Sequence, residues 1–151
     1  MNTPLRRIIL WILTATGAFV GVWALVFPRE FHEWFPGLGF GAWAADGPFN
    51  EHLTRDVGAL YLALVAAGIF AALVRRADAS VAVGIAWLVF SVPHFAYHVT
   101  HLNDLAPIDA IAQSISLALP IVLSVLLLIP PRRESGAVMA GRATSAEESV
   151  R

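Results

Sequence analysis

Three histidines lie close together at the end of an apolar run, in the stretch PHFAYHVTHL at residues 93–102. They are His94, His98 and His101, three of the five histidines in the chain. If the segment is helical, spacings of four and three residues place all three on one stripe. Imidazoles arranged in this way can bind a transition metal, hydrogen-bond to a polar ligand or carry protons. Which of these they do depends on the elements that bring other side chains to them.

The composition is that of a membrane protein, because hydrophobic residues make up 58% of the chain and charged residues only 14%. Soluble domains usually carry about 25% charged residues. Four apolar segments, at about residues 8–27, 54–74, 81–102 and 108–129, are long enough to cross a bilayer as helices. We therefore predict an all-α fold, a single four-helix membrane bundle over residues 1–133, followed by a disordered cytoplasmic tail at 134–151.

Charge and cysteine content exclude several functions. The formal net charge of −1 gives no basic surface for nucleic acid. The chain has no cysteine, which excludes thiol catalysis, disulfides and cysteine-ligated zinc or iron–sulfur centres.

Arginine placement predicts the direction of the helices. Arginine pairs precede the first apolar segment, separate the second from the third, and follow the fourth. These pairs are Arg6 and Arg7, Arg75 and Arg76, and Arg132 and Arg133. Since positive residues favour the cytoplasmic side, both termini are predicted to be cytoplasmic, and the histidines then lie near the outer surface.

Other polar residues reach the same depth as the histidines. Counted from Val81, His94 lies roughly 20 Å along a hydrocarbon core about 30 Å thick. The predicted outer cluster comprises Glu51, His52, Arg55, Asp56, His94, His98, His101, Asp109 and Gln113. The inner halves of the same segments carry far fewer polar residues. Because ionisable groups inside a membrane usually face the bundle interior and mark function, this asymmetry is the strongest functional signal in the sequence.

The outer cluster is compatible with several functions. As a metal site, His94 and His98 would bind zinc, iron or copper together with Asp56, or with Glu51 or Asp109. As a ligand pocket, the cluster would give an axial ligand to haem, or a hydrogen bond to a quinone or another apolar molecule. As a relay, it would carry protons. As a structural network, the same groups would bond to one another and lock the helices.

The segment between the first two apolar runs, residues 28–50, is unusually aromatic (PREFHEWFPGLGFGAWAADGPFN). Its first part, REFHEWF, predicts one or two amphipathic helical turns, and Pro36 with the glycines that follow ends any regular helix. Tryptophan favours the membrane interface. We therefore predict that this segment is an interfacial lid packed on the bundle, which can also cap a pocket.

Two parts of the sequence resemble known membrane proteins. RDVGALYLALVAAGIFAALVRR resembles small bacterial four-helix membrane proteins of the DoxX-like kind. The longer stretch from FPREFHEWFPGLG to WLVFSVPHFAYHVTHL resembles an uncharacterised actinobacterial membrane protein family. The resemblance implies a helix bundle in the bacterial cytoplasmic (inner) membrane and a redox enzyme of the envelope as partner. It assigns no catalytic residue.

The sequence thus predicts an accessory protein that binds a metal or a redox cofactor, and it does not favour an enzyme acting by itself. The expected partners are the lipid bilayer and another membrane or envelope redox protein, with no nucleic acid. The cofactor stays open between a transition metal, haem and a quinone. The alternative function is a structural or assembly subunit whose polar cluster only locks the bundle.

Overall fold

The computed structural model describes residues 3–129, except for the side chain of Asp104, and in that range it contains helices and irregular connections but no strand. The helices are α1 (Pro4–Val26), α2 (Pro28–Trp34), α3 (Glu51–Val74), α4 (Ala77–Val99) and α5 (Pro107–Leu128), with a 3₁₀ turn at Leu102–Asp104. Helices α1, α3, α4 and α5 are each long and apolar enough to cross a membrane, as expected of a multi-pass membrane protein. The predicted all-α, four-helix bundle is confirmed. The predicted tail at 134–151 lies outside the described residues.

Local sequence signals explain where the helices begin. Thr3 caps α1, since its Oγ1 accepts a 3.3 Å hydrogen bond from the amide of Arg6. Asn50 caps α3 in the same way, accepting a 3.1 Å bond from the amide of Leu53. Helices α1 and α5 each have a proline in the first turn, where a missing N–H costs nothing. Because of its cap, α1 extends into the arginine pair, before the apolar segment starts.

Helix α4 ends at Val99, so the third apolar segment does not continue as a helix to residue 102. The Thr100 hydroxyl donates a 2.7 Å hydrogen bond to the carbonyl of Tyr97. The amide of His101 donates to the carbonyl of His98 at 2.9 Å, which tightens the last turn. As a result His101 lies in the connection to α5, whereas His94 and His98 remain on the helix.

The four long helices form two antiparallel pairs, α1 with α3 and α4 with α5. In the first pair Gly58 lets the backbones touch, because a Cβ atom at this position would lie 2.6 Å from the amide nitrogen of Leu25. In the second pair a Cβ on Gly84 would lie 3.0 Å from the carbonyl oxygen of Ser124. Small residues at such crossings permit the close van der Waals packing that holds membrane helices together.

The two pairs are joined by Arg6 at the end of the bundle where α1 begins and α5 ends, which we call the termini end. The Arg6 side chain is only 4% exposed. Its guanidinium donates to Ser80 Oγ of α4 at 2.9 Å and to the carbonyls of Leu127 and Ile129, at the end of α5, at 2.6 and 2.8 Å. Most of the hydrophobic core occupies the same half, where Leu10 and Ala71 are fully buried. The opposite end, covered by residues 28–50, is the lid end.

Candidate functional site: a lidded cavity

A cavity of about 790 Å³ occupies the lid end of the bundle. Phe19 and Val20 of α1, Tyr61 of α3, Trp87 of α4 and Leu117 of α5 contribute to its mostly apolar wall. This volume lies within the range of roughly 300–1,000 Å³ that is typical of small-molecule sites. The packed core of the termini half gives way here to a half-open space lined by four helices and a loop.

Two of the three histidines face this cavity. The rings of His94 and His98 are edge to face, with centroids 4.7 Å apart, and His94 also stacks on Phe90 at 5.1 Å. Gln113 of α5 is 4% exposed, and its Nε2 lies 3.4 Å from Nδ1 of His98. Since an amide nitrogen only donates, this ring nitrogen of His98 accepts. Within residues 3–129 the His94 side chain makes no hydrogen bond, so its nitrogens are available to a ligand.

A second, smaller cavity of about 350 Å³ adjoins the first near the connection between α4 and α5. Its lining is mostly polar and includes Asp46, His101, His98 and Gln113. His98 and Gln113 line both cavities, as do Trp43 and Asp46 of the lid. We call the two spaces the large cavity and the small chamber. The shared residues place a polar boundary between an apolar space and a polar one.

The lid, residues 28–50, packs on the bundle through its aromatic residues. Phe31 of α2 is buried, with its ring 4.6 Å from that of Phe35 and 6.2 Å from Trp23 of α1. The amide of Trp43 donates to the carbonyl of Phe35 at 2.8 Å, which closes the loop on itself. Part of the lid lines the large cavity, so this segment also covers a pocket.

Asp109 holds the lid down. Its carboxylate, 7% exposed, accepts a 2.9 Å hydrogen bond from the amide of Gly41 and a 2.8 Å bond from Nε1 of Trp43. Two neutral donors therefore satisfy this buried acid. Asp109 shares the depth of the histidines, as its position in the sequence indicated, but its partners are lid atoms.

The residues at the start of α3 form a separate surface group. Arg55 bonds to Glu51 at 2.9 Å and also donates to the carbonyl of Leu25 in α1. His52 pairs with Asp56 at 3.2 Å, where their side chains are 89% and 61% exposed. None of Glu51, His52, Arg55 and Asp56 lines either cavity. These four residues face away from the histidines of α4, although they lie at the same end of the bundle.

The nine residues of the predicted outer cluster thus fall into three groups. His94, His98, His101 and Gln113 lie at the cavities, Asp109 binds the lid, and the four residues of α3 pair on the surface. The predicted metal set of His94, His98 and Asp56 is only partly brought together, because Asp56 is beside His52. Within the described range 3–129, no three histidine or acidic side chains gather as metal ligands.

Sequence reasoning missed two features of the site. Asp46, in the lid, faces the hydroxyl of Tyr97 and lines both cavities. Its one signal was that it is the single charged residue in residues 35–49, which are otherwise apolar. Trp87 lies at the cavity wall, and its buried Nε1 has no hydrogen-bond acceptor among residues 3–129. Nothing in the sequence distinguishes this tryptophan from an ordinary core residue.

Comparison of the chain with protein-family models, with curated proteins and with solved structures gives no match.

Proposed function

We propose that this protein binds a membrane-soluble small molecule in the large cavity, with His94 and His98 as its polar contacts. One observation carries this proposal: a mostly apolar space of about 790 Å³ meets a half-buried histidine, His94, whose nitrogens make no hydrogen bond within residues 3–129. Apolar pockets with a few convergent polar groups are the usual form of ligand sites. A histidine used only to lock helices would instead be bonded to a neighbour.

The candidate cofactors differ in how well this cavity suits them. Of these three, a quinone fits best, above all in its reduced quinol form with hydroxyl groups, because it needs only apolar walls and one or two hydrogen-bonding partners. Haem would need His94 or His98 as an axial ligand. A transition metal has weaker support, since the two imidazoles, 4.7 Å apart by ring centroid, would need further ligands from outside the described residues.

The cellular setting is proposed from the arginines and the resemblance. Arginine at the termini end favours cytoplasmic termini and an outward-facing lid in the bacterial inner membrane. The resemblance to DoxX-like proteins favours an accessory role beside a redox enzyme of the envelope.

A structural or assembly subunit is the second candidate function. It is favoured by Arg6 and Asp109, which tie the helices and the lid together without any ligand. A structural subunit needs no specific ligand in the cavity. The two candidate functions therefore differ in whether a bound small molecule copurifies with the protein.

The test is to purify the protein in a mild detergent and to identify bound small molecules by mass spectrometry, with a metal assay and an absorption spectrum. We expect one predominant apolar molecule, which is lost in His94→Ala/His98→Ala at nearly unchanged thermal stability. His52→Ala is the matched control, because it removes a histidine that lies outside the cavity. A colourless, metal-free and ligand-free protein, whose double variant only loses stability, would support the structural function instead.

A further inference from the structure

The large cavity and the small chamber adjoin, and they differ in polarity. We infer that together they bind one amphiphile, with its apolar body in the large cavity and an uncharged polar head in the small chamber. This inference rests on the proposed function and names the chemical class of its ligand.

The shared boundary sets the orientation of the ligand. His98 and Gln113 line both spaces, with apolar side chains on one side and polar atoms on the other. Burying an apolar body in the large cavity is favourable, whereas burying a polar head there without a hydrogen bond is costly. Polar partners in the large cavity are found at its edge, where His94 lies beside His98 with ring centroids 4.7 Å apart. The free energy is therefore lowest when the head lies at this boundary, within reach of both rings, and extends into the small chamber. It then lies beside the connection between α4 and α5.

The hydrogen-bonding groups of the small chamber favour a head that both donates and accepts. Nδ1 of His101 is already engaged by the carbonyl of Tyr97 at 2.9 Å, and Nδ1 of His98 by Gln113 at 3.4 Å. The Nε2 atoms of the two histidines and the amide oxygen of Gln113 remain. Together they can both donate hydrogen bonds to a hydroxyl group and accept one from it. The carboxylate of Asp46 adds a strong acceptor at the same boundary. A hydroxyl head satisfies these groups better than a head that only accepts.

The charge of the lining disfavours an anionic head. Asp46 is the acid common to the two linings, and among the residues that the structure describes neither lining contains arginine. Phosphate and carboxylate groups are normally bound by arginine, lysine or helix N-termini, and a carboxylate nearby repels them. The ligand class is therefore a long-chain or polycyclic alcohol rather than a phospholipid or a fatty acid.

Three radiolabelled probes with the same apolar chain test the inference: hexadecanol, hexadecane and hexadecyl phosphate. Saturable binding is measured to the full chain in nanodiscs, over protein-free nanodiscs. We expect hexadecanol to bind roughly 3- to 10-fold more tightly than hexadecane, the gain of about one hydrogen bond. Hexadecyl phosphate should bind more weakly than either.

Two variants test the small chamber. Gln113→Leu keeps the size of the side chain and should remove the preference for hexadecanol while leaving hexadecane binding unchanged. Asp46→Asn removes the repelling charge from an exposed loop position and should strengthen binding of hexadecyl phosphate roughly tenfold. Ser114→Ala is the control, because Ser114 lines neither cavity and its hydroxyl bonds to Ala110 of its own helix.

The outcomes separate this inference from the proposed function. Equal saturable binding of hexadecanol and hexadecane, unaffected by Gln113→Leu, would contradict the inference that the small chamber binds a polar head. The large cavity would then remain a ligand site. Saturable binding by none of the probes would contradict both. Tight binding of hexadecyl phosphate to the unaltered protein would overturn the uncharged head.

Discussion

Nε1 of Trp43 donates a 2.8 Å hydrogen bond to Oδ1 of Asp109, which ties the lid to α5. The lid connects α1 to α3, so this bond links one helix pair to the other at the lid end. Arg6 makes the corresponding link at the termini end. The cavity lies between these two links, where α1 and α5 make few contacts. The bond between Trp43 and Asp109 is therefore placed to control how readily the two pairs separate around a ligand.

Replacing Asp109 should loosen the lid. Asp109→Leu removes both acceptor bonds and leaves the Gly41 amide and the Trp43 indole without a partner, which should cost about 2 kcal/mol of stability. Hydrogen exchange measured by mass spectrometry should become faster for residues 36–49. Ser114→Ala on the same helix is the control, since its hydroxyl bonds only to Ala110 of α5. Unchanged exchange in Asp109→Leu would show that aromatic packing alone holds the lid.

Arg6 and Arg7 should differ sharply on substitution, although each loses one positive charge. Arg6→Ala leaves the carbonyls of Leu127 and Ile129 unsatisfied inside the bundle, and at roughly 0.6–1.7 kcal/mol per hydrogen bond the loss should be about 3 kcal/mol. The Arg7 guanidinium makes no hydrogen bond within the described range, so Arg7→Ala should cost far less. Thermal unfolding in detergent measures both. Equal losses would indicate that charge at the termini end, rather than hydrogen bonding, provides the stability.

The close approach of α1 and α3 should not tolerate a methyl group. In Gly58→Ala the new Cβ would lie 2.6 Å from the Leu25 amide nitrogen and 2.9 Å from the Gly21 carbonyl, both of them backbone atoms that cannot rotate away. The helices must shift, at a cost of about 1–3 kcal/mol. Ala59→Leu, at the next and exposed position of α3, should be neutral. A fully stable Gly58→Ala protein would mean that the pair packs less closely than described.

The two ion pairs at the start of α3 should contribute differently to stability: little for His52 with Asp56, and more for Arg55 with Glu51. His52→Ala and Asp56→Asn break an exposed ion pair and should change the free energy of unfolding by less than about 0.5 kcal/mol. Arg55→Ala also removes a bond to the Leu25 carbonyl of α1 and should cost more, about 1 kcal/mol. Bound ligand should be retained in all three variants. Loss of ligand in Asp56→Asn would revive a site that combines Asp56 with His94 and His98.

The sequence predicted the bundle because length and hydropathy determine which segments cross a membrane. Counting residues along each helix also predicted how far each side chain lies from the end of the bundle, which is why Gln113 was expected near His98. The same counting did not determine how each helix is rotated about its own axis. Asp56 has the depth of the histidines, but it points to the surface, because the packing face of α3 is fixed by Gly58 and Tyr61.

The partner of Asp109 could not be predicted either, because the lid folds irregularly between α2 and α3. Its backbone reverses at Gly37, Gly39 and Gly47, which all have positive φ. Small changes in those turns would move Trp43 away from Asp109. Because the loop has no helical or strand periodicity, the number of residues between Trp43 and Asp109 does not predict that they meet. The pair of His94 and His98 on one helix face was readable as a pattern, although His101 lies beyond the end of α4. The position of Asp46, the acid at the boundary of the two cavities, depends on this loop.

Arg6 also constrains the order in which the protein can be assembled. Its acceptors at Leu127 and Ile129 are synthesised more than a hundred residues after it. Until α5 arrives, the guanidinium has only α4 to bond with, and it can remain in the aqueous headgroup layer at the termini end. Insertion of α5 therefore buries Arg6, which makes burial of Arg6 a marker that α1, α3, α4 and α5 are all in place.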